Sequence, residues 1–327
     1  MNENSSRLRN IVWLSLIVLF TIPIHQAASS PKEKQFPIKA VELINPFGAG
    51  GAADVQARKL AEIVSKHLGQ PLIVRNVTGA GGAIAYNEVY RAKPTGYILV
   101  WYSGAINTLA NSGQIPFNYT AFETVCGVGQ ETVAIAVKKD APWKDFKEFI
   151  AYAKQNPGKV SVGNSGIGSV THMVPVAIAN KAGVQFTHVP FGTGLALAAL
   201  LGGKISSSSQ HPAEILPQVK ADEVRIIVIS AAKRIDLWPN VPTAKEMGVD
   251  VVYEQWRGVA APKGTPKPVT DKLTTAFKKS VESPEWIEFV KSVGTTPQYR
   301  DPEAMTKFVA EMDKITAEIM TTAGLKK

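Results

Sequence analysis

The stretch Pro46-Phe47-Gly48-Ala49-Gly50-Gly51-Ala52 contains the string Gly-Ala-Gly-Gly-Ala, which returns at Gly79-Ala80-Gly81-Gly82-Ala83, 31 positions later. Each copy follows a short apolar run, Val41–Ile44 in one case and Leu72–Val74 in the other. Each precedes apolar residues at helical spacing. A strand that passes through a glycine turn into a helix, twice in succession, is a βαβ unit, with both turns at neighbouring points of a parallel sheet. Glycine lets the backbone come close to a ligand, and free N–H groups at a helix start attract anions. The pair therefore reads as a pincer for a small, negatively charged molecule.

Outward from this unit the strand–helix alternation continues. Ala53, Ala57, Leu60, Ala61, Val64 and Leu68 recur in steps of three and four, and Gly69 is placed to end that helix. Asp54, in its first turn, suits the positive end of the helix dipole. Strands are expected at Ile98–Trp101, Thr132–Val137, Val160–Val162, Phe186–Val189, Lys204–Ser209 and Arg225–Ile229. Helices are expected at Val170–Ala182, Gly194–Leu201, Pro268–Ser283 and Pro302–Ala323, among others. The pattern predicts an α/β chain with parallel sheets. Its glycine turns fall before residue 140 and after residue 160, which predicts two α/β domains whose strand ends face each other.

The ends and the composition set the class. Arg7 and Arg9 precede the apolar run Ile11–Ile24, and Ala27–Ser29 offers small residues for cleavage. Residues 1–29 thus read as a secretory signal peptide, since the run is too short to span a bilayer comfortably. About 300 residues remain, enough for two domains. The single cysteine, Cys126, excludes an intramolecular disulfide and reads as a small core residue. The formal charge is +9 with scattered lysines, so there is no nucleic-acid stripe.

Several chemistries are disfavoured. Gly48, Gly50 and Ala53 fit a dinucleotide fingerprint, but Arg75-Asn76 stands where the ribose-binding acid belongs. Gly163-Asn164-Ser165-Gly166-Ile167 approaches a nucleophile elbow but lacks its last glycine. The histidines His67, His172, His188 and His211 show no metal-site spacing, and no phosphate loop is present. Binding without chemistry, cofactor or metal is what remains. Three glycine-rich turns, at 46–52, 78–83 and 163–169, offer backbone N–H groups, and Ser103, Asn107, Ser165, Ser169 and Thr193 offer neutral side-chain contacts. Ligands of open α/β sheets lie at the carboxyl ends of strands, where these residues cluster.

The ordered set of motifs resembles the extracytoplasmic solute receptors of the tripartite tricarboxylate transporter family, also called Bug receptors. The resemblance runs from Asn45–Arg58 and Asn76–Gly82 through Lys93-Pro94-Thr95-Gly96-Tyr97 and Gly163–Ser169 with His172. It continues at Val189-Pro190-Phe191, Ala199–Gly203, Ser230–Arg234, Pro239–Thr243 and Ala261–Pro266. It implies two doubly wound domains that close on a ligand like a Venus flytrap, as in periplasmic binding proteins. Residues 37–138 with 259–327 would form domain 1, and 139–258 domain 2. The implied carboxylate pincer is Phe47, Gly48, Ala49, Gly50, Gly51 and Ala52 with Thr78, Gly79, Ala80, Gly81 and Gly82. The implied second-domain contacts are Ser165, Ser169, Phe191, Gly192, Thr193 and Gln210. The resemblance also implies a periplasmic monomer that delivers cargo to membrane permease subunits, with a sensory role beside a membrane kinase as the alternative. An exported hydrolase using Ser165 is the rival from another class. The chain departs from the family at Ala49, Thr78 and Phe191-Gly192-Thr193, and at Trp101-Tyr102, which could line the site as an aromatic wall or belong to the core.

Overall fold

A computed structural model describes residues 36–192 and 195–326. The signal-peptide expectation for residues 1–29 lies outside them. β1 (Val41–Asn45) leads through the first glycine turn into α1 (Ala52–Leu68), and β2 (Leu72–Asn76) leads through the second into α2 (Ala83–Arg91). The two strands pair in parallel with Asn45 opposite Asn76, so both turns leave the same end of the sheet. Then follow β3 (Ile98–Ser103), α3 (Ala105–Asn111), β4 (Phe122–Glu131), β5 (Ala134–Lys138), α4 (Phe146–Gln155), β6 (Val160–Asn164) and α5 (Val170–Ala182). Next come β7 (Phe186–Pro190), α6 (Leu195–Leu201), β8 (Ser207–Gln210), α7 (Pro212–Lys220) and β9 (Val224–Ile229). The chain closes with β10 (Gln255–Pro262), α8 (Lys267–Val281), α9 (Pro284–Ser292), β11 (Thr295–Arg300) and α10 (Pro302–Thr322).

The strands form a six-stranded sheet, β11-β4-β10-β3-β1-β2, and a five-stranded sheet, β7-β6-β8-β5-β9. Both are mixed, which corrects the expectation of parallel sheets. β10 runs antiparallel to β3 and β4, and β5 runs antiparallel to β8 and β9. The cause is the path of the chain. β1, β2 and β3 end at the cleft between the sheets, whereas β5 and β10 arrive from it and must run the other way. Only Thr132 and Val133 separate β4 from β5. The return crossing lies beside this link: Val133 N–H donates to Ser230 Oγ (3.0 Å) and Ser230 N–H donates to Thr132 Oγ1 (3.1 Å). Sheet membership therefore changes at 132–133 and 230–254, not at the expected 138 and 258.

Each sheet is covered on both faces. α1, α8 and α9 cover one face of the first sheet over Leu60, Trp101, Phe277 and Trp286. Tyr86, Tyr102, Phe122, Trp256 and Met305 fill the other. Trp101 and Tyr102 point to opposite faces and are 0% and 1% exposed, so they are core, and the aromatic-wall reading does not hold. Cys126 belongs to the same core. α8 and α9 pack against the first sheet. α10 spans both lobes: Met305 and Val309 pack with the first sheet, while Met320 packs with the second and Thr316 Oγ1 meets Tyr253 OH at 2.7 Å. Among the described residues no helix is long and apolar enough to cross a membrane.

Candidate functional site

The carboxyl ends of β1, β2 and β6 and the start of β10 surround a cavity of about 680 Å³ between the two sheets. Phe47, Gly48, Gly51 and Ala52 line it from the first glycine turn, and Thr78, Gly79, Ala80, Gly81 and Gly82 from the second. The turns are drawn together by side chains. Gly82 adopts φ +104°, and a Cβ there would lie 3.1 Å from Pro46 Cβ, so only glycine lets the loops approach this closely. Asp54 accepts hydrogen bonds from Gly50 N–H (2.9 Å) and Asn76 Nδ2 (2.8 Å) and pairs with Arg58 Nε (3.0 Å). Asn76 Nδ2 also donates to Phe47 O (2.9 Å), tying the end of β2 to the first loop. Burial alone would raise the Asp54 carboxyl, but the bonds from Arg58, Gly50 and Asn76 outweigh it and hold the pKa below its usual value. Gly51 is the N-cap of α1 and offers no side-chain cap, which leaves the first N–H groups of the helix to whatever enters the cavity.

The second lobe contributes Ser165, Ser169 and Gly192, together with Gly166, Ile167 and Gly168 of the same loop. Ser169 caps α5, accepting from His172 N–H (3.2 Å), and donates to Gly166 O (2.7 Å). Gly168 N–H donates to His172 Nδ1 (3.1 Å), which fixes the loop and requires a neutral acceptor nitrogen. Burial, reinforced by His188, lowers the His172 pKa to about 4. Ser165 Oγ is buried without a hydrogen-bond partner, so no base is placed to activate it among the described residues. No group of three or more metal-ligating side chains occurs among the described residues.

Six of the expected contacts do not line the cavity, and Thr193 lies outside the described residues. Ala49 is exposed on the loop, and the Gly50 amide is taken by Asp54. Ser103 lies beneath the loops against Tyr86 OH (3.4 Å), and Asn107 donates to Asp313 Oδ1 of α10 (2.9 Å). Phe191 packs in the second-lobe core, and Gln210 is fully buried with neither amide atom paired.

The structure adds polar and charged residues that the sequence reading missed. Arg257, His211, Glu214 and Gln255 all line the cavity. Arg257 Nη2 donates to Glu131 Oε2 (2.8 Å), and both side chains are almost wholly buried. His211 Nδ1 lies 3.5 Å from the same Glu131 oxygen. Glu131 Oε1 accepts from Gln56 Nε2 and from Thr295 Oγ1 (3.2 Å). Burial would raise the Glu131 carboxyl, but Arg257 and His211 reverse the direction and keep it ionised. The site therefore combines backbone N–H groups with one buried guanidinium, an arrangement suited to holding an organic anion.

Known proteins place this architecture. The sequence profile of the tripartite tricarboxylate transporter family receptor matches residues 56–325. A Cupriavidus necator protein, described as "UPF0065 protein in gbd 5'region", is 34% identical over 305 residues, spanning 92% of this chain and 93% of its own. The structure of the periplasmic binding protein BugD superposes with a TM-score of 0.82 at 32% identity, covering 89% of this chain and 100% of that one. MatC from Rhodopseudomonas palustris, solved with bound malate, has a TM-score of 0.80 at 29% identity over 87% of this chain and 99% of its own. The chain belongs to the receptor family of the tripartite tricarboxylate transporters, a family of periplasmic solute-binding proteins.

Proposed function

We propose that this chain is a periplasmic receptor, exported by residues 1–29, that captures a small organic carboxylate between its two lobes and hands it to membrane permease subunits as a monomer. The observation that carries this reading is the convergence of two cross-linked glycine turns and an uncapped helix start on one cavity. Amide N–H groups bind carboxylates without a counter-charge, and their fixed direction selects the planar anion. Malate bound to MatC supports the ligand class. On this reading the lobes close about the paired crossings at 132–133 and 230–254, and binding precedes no bond-breaking step.

The test is a carboxylate panel read by native mass spectrometry and thermal shift on the mature protein. A ligand at one hundred times its Kd should add about 2.7 kcal/mol to stability. The blocking variant is Gly48→Leu, because a Cβ at Gly48 meets nothing within 4 Å and the new side chain enters open space. It should keep the melting temperature of the free protein and lose the ligand-dependent rise. A rise that survives in Gly48→Leu would place the ligand elsewhere.

A further inference from the structure

Four ionisable side chains meet at one wall of the cavity, and their charges do not cancel. Arg257, His211 and Glu214 line it, and the buried Glu131 accepts from Arg257 Nη2 at 2.8 Å. Two carboxylates and one guanidinium leave an excess of one negative charge unless a proton is added. A wall of that sign repels an entering anion, and a charge left uncompensated away from water is costly.

The cluster is built across the two lobes. Glu131 ends β4 and Arg257 lies in β10, both in the first sheet, whereas His211 and Glu214 stand at the start of α7 in the second lobe. His211 Nδ1 faces two oxygens, Glu131 Oε2 at 3.5 Å and Thr132 O at 3.3 Å. It therefore carries a hydrogen whatever the charge of the ring, and a further proton goes to Nε2. Glu214 Oε2 accepts from the backbone N–H of His211 at 3.5 Å, which leaves the other oxygen able to hold a proton. Burial raises the Glu214 pKa, with Glu131 adding to the rise and His211 and Arg257 opposing it. The remaining groups around the cluster leave its charge unchanged. Asp54 of α1 is paired with Arg58, and the Tyr86 phenol of α2, which feels Arg257, is pushed by burial to about 12 and stays neutral.

We propose that a proton is the second ligand of this receptor: an organic anion enters the cavity together with one proton from solvent, which His211 and Glu214 share. The inference rests on the carboxylate-receptor reading and adds the regulation of that same site. Anion and proton strengthen each other's binding, because the proton cancels the negative charge that would face the anion.

Calorimetry at about pH 8 in HEPES and in Tris, whose ionisation enthalpies differ, counts the protons taken up on binding. The probes are malate, succinate, adipate and benzoate, all ionised at that pH. Wild type should take up on the order of one proton per acid bound, and its affinity should fall by up to about tenfold for each unit of rising pH between about 7 and 9. Glu214→Gln keeps an acceptor for the His211 amide and removes the excess charge, so uptake should vanish and the affinity should become level with pH. Glu148→Gln makes the same exchange in the first turn of α4, outside the cavity lining, and should behave as wild type. Binding by wild type with no proton uptake overturns the proposal without any variant and leaves the carboxylate reading standing. Uptake that persists in Glu214→Gln also overturns it, since the proton then goes to the acid itself or to a group outside the cluster. Binding of none of the four acids removes both.

Discussion

Asp54 joins three groups that would otherwise move apart: the Gly50 amide in the first turn, the Asn76 side chain at the end of β2, and Arg58 one turn along α1. Its carboxylate works as a brace, since Asn76 reaches on to Phe47 O and so links both glycine turns. Asp54→Ala removes charge-assisted bonds worth about 1–3 kcal/mol together and frees the first turn. The expected outcome is a folded protein with a lower melting temperature and ligand affinity reduced about tenfold or more, read by calorimetry. Unchanged affinity would mean that the turns are set by their glycines alone. Asp54 was legible in the sequence as a helix-start acid, whereas its bond to Asn76 was not, because the two are brought together only by the pairing of β1 with β2.

At the scale of elements, the loop between β6 and α5 depends on a neutral histidine. His172 is 6% exposed, its Nδ1 accepts the Gly168 amide, and the His188 ring centroid lies 5.0 Å away. Burial lowers both histidines, His172 to about 4. The unfolded chain takes up the His172 proton near pH 6.5, before the folded chain does. The neutral form thus contributes stability that is complete above pH 6.5 and is lost as pH falls from 6.5 through 4, by about 3 kcal/mol at most. Glu214 and Glu254, raised by burial, act in the opposite sense over part of this window. The readout is therefore the difference between wild type and His172→Gln in urea unfolding at several pH values. Gln keeps an acceptor for Gly168 and does not titrate, so the variant should hold its stability better between pH 6.5 and 4. Parallel curves would show that another group sets the acid response.

The elements that were legible share a strong local period. α1 shows an apolar face every three or four residues, and β1 and β2 are short apolar runs bounded by glycine turns. β4 and β10 were missed because Gly127, Gly129 and Gly258 break the strand pattern. Their reason is tertiary: a Cβ at Gly258 would lie 2.7 Å from Cys126 O, so glycine is needed where these strands pair through bulges. Arg257 was missed for the same kind of reason. Nothing local marks it: its partner Glu131 comes from β4, and the residues around Glu131, namely Gln56, His211 and Thr295, come from α1, the start of α7 and β11.

At the scale of the whole molecule, the described residues from 36 to 326 form one compact unit even though they contain two sheets. The links are the paired crossings held by Ser230 and the helix α10, which packs on both lobes. Such an arrangement permits rotation about the crossings and limits how far the lobes can part. Bound acid should therefore close the cleft as a hinge motion rather than reorganise either sheet. The radius of gyration in solution scattering should fall by on the order of 1 Å when ligand is added. Hydrogen exchange should slow in the three cavity loops, at 46–52, 78–82 and 165–169, while α8 and α9, remote from the cavity, stay unchanged. Exchange that slows in the loops at constant radius would mean a preclosed receptor whose loops order on binding. No change in either, with ligand shown to be bound, would rule out a receptor that signals occupancy through the distance between its lobes.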